Sequence, residues 1–312
     1  MSASAVVFAY HDVGVRCLSV LLDGGVDVKL VVTHEDDPKE TVFFGSVRAL
    51  AQGRGLEVAT PADANDPAFV ERLQSIAPDF LFSFYYRKML SPAVLAAAKR
   101  GAFNMHGSLL PKYRGRAPVN WAVLKGERET GATLHEMVAK PDAGRIVGQQ
   151  AVPIGEDDLA VEVFARVTTA AEGVLRRELP RLLDGTAILV SQDLSQGSYY
   201  GGRKPEDGRI DWTQPARAIH DLVRAVAPPY PGAFTQLGGK RLAILRTRLA
   251  PGKVLGTSSA LACSELGLHA AGGDGKALEV LALEYDGRPM PPRAFCDNIG
   301  FGIHRPDLQA AP

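Results

Sequence analysis

The sequence predicts an α/β fold with a mostly parallel sheet, followed by a small β-barrel or sandwich. Three observations carry that expectation. Short, continuously apolar runs alternate with helix-like runs through the first half of the chain, as in a parallel sheet covered on both faces. A long amphipathic segment, residues 157–183, follows at mid-chain. Beyond it lie short β-rich runs punctuated by glycine, the pattern of a small closed or sandwiched sheet. At 312 residues the chain has length for one large domain or two smaller ones around a well-buried core.

Taken in order, residues 5–10 read as a buried strand, 14–23 as a helix and 27–33 as a second strand. Residues 41–53 and 66–76 look helical, 79–84 is the next strand, 92–99 a short helix and 101–106 a further strand. Residues 131–138 resemble another strand. In the segment 157–183, Leu159, Val163, Phe164, Val167, Ala171, Val174 and Leu175 recur at helical spacing and should face the core. Residues 195–208, rich in glycine, serine and charge, predict a linker. A helix is expected over 215–227, stopped by Pro228-Pro229. Strands are then expected at 233–237, 241–249, 267–271 and 277–283, and the last dozen residues predict no element.

Composition narrows the functional classes. Hydrophobic residues make up 46% and charged residues 22%, as in ordinary soluble domains. Lysine plus arginine number 35, equal to aspartate plus glutamate. That balance argues against a general nucleic-acid binder. No apolar run reaches spanning length and no basic lead precedes the first strand, so the chain reads as cytoplasmic with no membrane partner. Cys17, Cys263 and Cys296 are widely scattered without metal-ligand spacing, which suggests a reducing compartment and no metal site. Oligomeric state is not readable.

The chemistry is concentrated in Asn104-Met105-His106-Gly107-Ser108-Leu109-Leu110-Pro111 and the basic loop that follows. In an extended strand, alternate side chains face the same way, so Asn104 and His106 enter one pocket. It lies beyond the carboxyl end of a parallel strand, where ligands of such sheets bind. An amide donor beside a group titrating near neutrality suits acyl transfer, in which an oxyanion forms while the nucleophile loses a proton. Asp142 stands in the turn Lys140-Pro141-Asp142-Ala143-Gly144, a common turn composition. It is also a carboxylate able to orient His106. Between Pro111 and Pro118 the loop carries Lys112, Arg114 and Arg116, cations suited to phosphate or carboxylate. Tyr10 and His11 follow the first strand without the spaced glycines of a dinucleotide site, and are candidates to line a substrate pocket. His34 with its following acids reads as a solvated loop, and His135 with Glu136 as members of a strand pattern.

Together, the Asn104–Pro111 motif, Arg114-Gly115 and the downstream Asp142-Ala143-Gly144 resemble the formyltransferases that use 10-formyltetrahydrofolate. Val7 to Asp12 and the tyrosine-bearing Phe82 to Arg87 point to the sugar-nucleotide branch, nearest to enzymes formylating UDP-4-amino-4-deoxy-L-arabinose in lipid A modification. The resemblance spans roughly residues 5–250. It implies a Rossmann-like catalytic domain over 1–203 and an OB-fold-like domain over 204–312. It implies Asn104, His106 and Asp142 as catalytic residues. Lys88, Met89, Leu90, Arg116, Val138, Ala139, Lys140 and Pro141 would border the folate, and Tyr10, His11 and Arg114 the sugar nucleotide. Pro141 before Asp142 departs from the pattern. The decarboxylase half found in the bifunctional relatives does not follow either, so oxidative decarboxylation is not expected. Rival readings are methionyl-tRNA formylation, opposed by the acidic Glu35-Asp36-Asp37-Pro38-Lys39-Glu40; another nucleotide-linked amino sugar; hydrolysis of the formyl donor; and a non-catalytic binding protein, which has no need of the trio.

Overall fold

The computed structural model describes residues 2–36, 42–255 and 258–307. Asp37, Pro38, Lys39 and Glu40 of the acidic run lie outside the described residues, as do Thr41 at the head of the predicted helix 41–53 and the tail residues 308–312. The chain divides into two compact units. One comprises Met1–Pro118, Glu129–Pro153 and Phe164–Gly201, the other Val119–Arg128, Ile154–Val163 and Gly202–Pro312.

The first unit is built on β1 (Ser4–Ala9), β2 (Asp27–Val32), β3 (Val58–Ala59), β4 (Phe80–Phe84), β5 (Gly101–His106), β6 (Arg114–Gly115), β7 (Glu129–Glu136), β8 (Ile146–Pro153) and β9 (Tyr199–Tyr200). Seven of them form one sheet in the order β3-β2-β1-β4-β5-β7-β8. The five strands from β3 to β5 run parallel, whereas β5–β7 and β7–β8 pair antiparallel. The mostly parallel α/β sheet expected from the apolar runs is therefore present. All five residues of β4 are buried, which is why that strand reads as an unbroken apolar run. By contrast β8 is an edge strand, partly exposed without regular alternation and containing Gly148, Gln149 and Gln150, and no apolar run announced it.

Helices α1 (His11–Asp23), α2 (Val47–Gly53), α3 (Pro67–Ile76), α4 (Pro92–Leu95), α5 (Pro118–Leu124) and α6 (Ala160–Asp184) connect the strands. Their starts carry recognisable caps. Ser46, Asp66 and Ser91 each accept a first-turn amide through the side chain, and Pro67 and Pro92 occupy first helical positions. Helix α1 begins three residues earlier than predicted, and Gly14 lies in its first turn. A Cβ there would sit 3.2 Å from that of Ala9 and 2.9 Å from Val47 Cγ2, so glycine lets the helix lie tightly on β1.

Residues 195–208, predicted as a linker, carry short structure instead. Leu194–Gln196 and Pro205–Gly208 are single 3₁₀ turns, and β9 pairs in parallel with β6 through Arg114–Tyr199 and Gly115–Tyr200. Two-residue ladders need no side-chain periodicity, so composition could not reveal them.

In the second unit α7 (Ala216–Val226) accompanies β10 (Ala233–Leu237), β11 (Lys240–Val254), β12 (Ala260–Ser264), β13 (Gly267–Ala271), β14 (Lys276–Tyr285), β15 (Arg288–Met290), α8 (Pro292–Ile299) and β16 (Gly302–His304). The strands form a curled antiparallel half-barrel in the order β10-β11-β14-β13-β12-β16, with β15 on β14. Arg224 of α7 is 1% exposed. Its two terminal nitrogens bond Asp221 and the carbonyls of Gly155 and Asp158, so the buried charge is paired, while Nε has no hydrogen-bond partner among the described residues. Strand β16 falls within the last dozen residues, which predicted no element, and α8 lies just before them. Cys263 of β12 and Cys296 of α8 are joined as a disulfide, their Cα atoms 5.2 Å apart. Their separation of 33 residues hid this pair from a reading based on spacing, which had suggested a reducing compartment.

Phe82 is fully buried, its ring centroid 5.8 Å from Phe80 and 5.7 Å from Phe84. Phe82→Ala should lower unfolding stability by about 3–5 kcal/mol, read from the urea midpoint at unchanged slope.

Candidate functional site

The site is set by the pairing of β5 with β7. Asn104 stands directly opposite His135, and His106 opposite Thr133. Opposed residues of an antiparallel pair share a face, as do residues two apart. Asn104, His106, Thr133 and His135 therefore project from one side of the sheet. Asn104 is half-buried, and His106 and His135 are buried.

Thr133 anchors the loop that leaves β5. Its hydroxyl donates to the Ser108 carbonyl (2.6 Å) and accepts from Leu110 N (3.2 Å) and Gln149 Nε2 (2.9 Å). The Ser108 hydroxyl donates to the Lys112 carbonyl (2.6 Å), and Gln149 also reaches the Leu110 carbonyl (2.9 Å). The loop is thereby folded back so that the Tyr113 carbonyl lies 2.8 Å from His106 Nε2. A carbonyl only accepts, so Nε2 carries hydrogen and the neutral ring's lone pair is at Nδ1.

Asp142 arrives from the turn after β7, at φ 52°. Its Oδ2 accepts from Gly115 N at 2.8 Å, and its carbonyl accepts from Gln192 (3.0 Å). Oδ1 lies 3.7 Å from His106 Nδ1 and 3.5 Å from His135 Nε2. Gly115 must be glycine: its φ is 99° and a Cβ would fall 2.1 Å from the Tyr200 carbonyl. Burial by itself would raise the Asp142 carboxyl pKa. The His106 charge, His135 and the Gly115 amide outweigh it, holding the group well below the usual carboxylate range. Asp142 is thus an anion facing two imidazoles.

His135 is the member that sequence reasoning passed over as part of a strand pattern. It is 1% exposed. Its Nε2 lies 3.1 Å from Asn104 Nδ2 and its Nδ1 lies 2.8 Å from the Glu136 carbonyl. The available signal was register alone, since a histidine opposite Asn104 needs only β5–β7 pairing to join the site.

The remaining predicted residues fall around this centre unevenly. Leu90 is buried in the apolar cluster of Val6, Phe8 and Leu30, so only its backbone is free to meet a ligand. The Met89 side chain is exposed while its carbonyl accepts from Asn65, and the Lys88 ammonium donates to the Ala62 carbonyl. Val138, Ala139 and Lys140 are exposed and Pro141 is half-buried on the segment leading to Asp142. Arg116 is exposed, and its amide donates to the Tyr200 carbonyl. Arg114 is 9% exposed, and its Nε has no hydrogen-bond partner among the described residues. At the ends of β1 and β2, His11 stacks on Phe44 (centroids 4.0 Å apart) and the Tyr10 hydroxyl donates to Asp36 (2.7 Å). Tyr10, His34, Glu35, Asp36, Phe44 and Arg48 help line a cavity of about 110 Å³. Of the acidic run, Glu35 is engaged by Arg48 and Thr60, and Asp36 by Tyr10. Among the described residues no group of acidic, histidine or cysteine side chains is arranged to hold a metal, and no helix is long and apolar enough to cross a membrane.

The profile of the formyl transferase family matches residues 11–179, and that of the formyl transferase C-terminal domain matches residues 203–299. Among solved structures, an N-formyltransferase from Helicobacter canadensis, in complex with folinic acid and dTDP-3-aminofucose, superposes with a TM-score of 0.68 at 21% identity. That match covers 90% of this chain and 99% of the other. WlaRD, a sugar 3N-formyl transferase solved with dTDP and 5-N-formyl-THF, gives 0.70 at 18% identity over 90% and 97%. HypX from Aquifex aeolicus in complex with tetrahydrofolic acid gives 0.60 at 19% identity, covering 95% of this chain and 47% of that longer one. At these identities the likeness is one of fold.

His34 stacks on Tyr86 (centroids 4.1 Å apart) and accepts from Arg87 N (3.0 Å). Burial first, then the charges of Lys88 and Arg87, lower its pKa to about 4. Unfolded histidine titrates near 6.5. Below that value the unfolded chain takes up a proton the folded chain refuses, so stability is full above pH ~6.5 and declines as pH falls toward 4. Urea midpoints measured from pH 7 to 4.5 should fall, and His34→Gln should flatten the decline.

Proposed function

This chain belongs to the formyl transferase family, and we propose that it moves a formyl group from 10-formyltetrahydrofolate to the amino group of a nucleotide-linked sugar. UDP-4-amino-4-deoxy-L-arabinose is the acceptor to which its sequence points. The observation that carries the reading is the meeting of Asn104, His106 and an ionised Asp142 around one space at the end of β5.

Formyl transfer to an amine breaks the formyl bond to the folate nitrogen as the amine nitrogen bonds the same carbon. The carbonyl oxygen becomes an oxyanion on the way. Asn104 supplies an N–H donor for that charge. His106 exchanges a proton through Nδ1, because Nε2 is committed to the Tyr113 carbonyl. The neutral amine attacks; its nitrogen, cationic once bonded to carbon, gives up a proton and the departing folate nitrogen receives one, and Nδ1 suits both transfers. Asp142, 3.7 Å from Nδ1, stabilises the imidazolium formed between them. Tyr113 thus holds the ring by a hydrogen bond at Nε2 while Asp142 faces it across Nδ1.

Lys88, Met89, Leu90, Arg116 and the segment Val138, Ala139, Lys140 and Pro141 border the folate in this reading. Leu90 can contribute only through its backbone, which suits recognition of a pterin ring by peptide groups. Tyr10, His11 and Arg114 are assigned to the sugar nucleotide. The Arg114 side chain, largely buried with an unpartnered Nε, favours an anionic ligand such as a diphosphate. Sugar N-formyltransferases solved with dTDP ligands support a nucleotide-sugar acceptor, and they favour a second reading in which the base is thymine and the acceptor a dTDP-linked amino sugar.

Incubating the protein with 10-formyltetrahydrofolate and a panel of UDP- and dTDP-linked amino sugars plus methionyl-tRNA, and following tetrahydrofolate release, tests the reading. Turnover is expected with an amino-sugar nucleotide, fastest with the UDP-arabinose derivative. Exclusive turnover of methionyl-tRNA, or equal formate release without any amine, defeats it. Asn104→Ala should lower kcat by roughly 10²–10³-fold, as for loss of one oxyanion donor. His106→Ala and Asp142→Ala should each abolish or severely reduce turnover with the far-ultraviolet circular dichroism unchanged.

A further inference from the structure

We infer that His135 is a positioning residue: as the neutral Nδ1–H tautomer it locks the carboxamide of Asn104 in the one orientation that leaves an N–H free for the oxyanion. This rests on the formyl-transfer reading for what Asn104 does.

The argument begins with the Glu136 carbonyl, 2.8 Å from His135 Nδ1. That oxygen can only accept, so Nδ1 bears hydrogen. In the neutral ring Nε2 is then a bare acceptor. Two atoms face it: Asn104 Nδ2 at 3.1 Å, a donor with two hydrogens, and Asp142 Oδ1 at the longer distance of 3.5 Å, so the nearer, donating amide is the partner of a neutral ring. One hydrogen goes to His135 and the other remains for a ligand. The opposite amide orientation would set Asn104 Oδ1 against the Nε2 lone pair, which burial makes costly because no water can intervene. His135 is 1% exposed.

The local sequence explains why the ring cannot easily turn. His135 lies in the middle of the ladder, opposite Asn104 on one side and Ile146 on the other. The following Glu136 is held by Arg145 through two bonds of 2.8 and 2.9 Å, and its amide donates to the Arg145 carbonyl at 2.8 Å. The carbonyl that selects the tautomer is thus part of a braced hairpin. A carboxamide has two orientations that differ only in which end donates. A rigid partner with a defined acceptor removes that ambiguity, as a metal-bound imidazole is oriented by the group behind it.

Three substitutions separate this role from simple packing. Gln can place an acceptor oxygen where Nε2 stands, Asn can keep only the donor toward Glu136, and Leu fills the volume with neither. His135→Leu and His135→Asn should each lower kcat about 10- to 100-fold, with KM for both substrates within about twofold of wild type, and His135→Gln should recover most of that loss. In the Asn104→Ala background His135→Leu should cost nothing further, since the group it positions is gone. Independently of activity, imidazole ¹⁵N spectra of the full chain, with the His135→Gln variant used for assignment, should show Nδ1 protonated and Nε2 bare at pH 7. A protonated Nε2, or a Gln variant no better than Leu, overturns the inference. Should the wild type transfer no formyl group at all, the functional reading fails, and the nitrogen spectrum still decides which tautomer His135 adopts.

Discussion

The register of β5 against β7 is the constraint on which the site depends. Hydrogen-bonded strands have a side-chain period of two, so a slip of one residue would send Asn104 and His106 to the opposite face from His135 and Thr133. In the observed register, Asn104 meets His135 and His106 meets Thr133. Both members of β7 then act on what β5 presents: one on the amide itself, the other on the loop behind the imidazole. The antiparallel turn of β7 matters here, because the direct opposition of residues at close range belongs to antiparallel ladders.

Around that ladder the polar groups are arranged so that each partner removes a freedom. Thr133 and Gln149 fold the loop after His106 back on the sheet, and the returning Tyr113 carbonyl takes the Nε2 hydrogen of His106. Gly115, at a φ that only glycine adopts without strain, brings its amide to Asp142. Asp142 in turn faces both imidazoles. A buried carboxylate without such partners would take up a proton; with them it stays charged. The charge then favours an imidazolium beside it when a proton arrives. Orientation and electrostatics in this site come from the same few contacts.

Much of this was legible before folding. Apolar runs such as that of β4 predict buried parallel strands, because a strand covered on both faces has no polar side. Asn104 and His106 were legible as a pair through alternation along one strand. Asp142 was legible only as a turn residue with a second possible use. The edge strand β8, the two-residue ladder of β6 with β9, and the pairing of Cys263 with Cys296 were not. The β6–β9 ladder and the cysteine pair join partners distant in sequence, and β8, though it pairs with the preceding strand β7, is partly exposed and lacks a regular alternation.

The sequence alone determined the alternation of buried strands and helices through the first half of the chain and the residue types at the end of β5, since these depend on neighbours within a few positions. Tertiary structure decided which nitrogen of His106 is free, that His135 stands against Asn104, and that Asp142 is held as an anion between two rings. Those outcomes turn on where the carbonyls of Tyr113 and Glu136 and the amide of Gly115 end up. Backbone groups are the same in every residue, so their placement is settled by cross-strand register and loop closure and not by the identity of the residue that carries them.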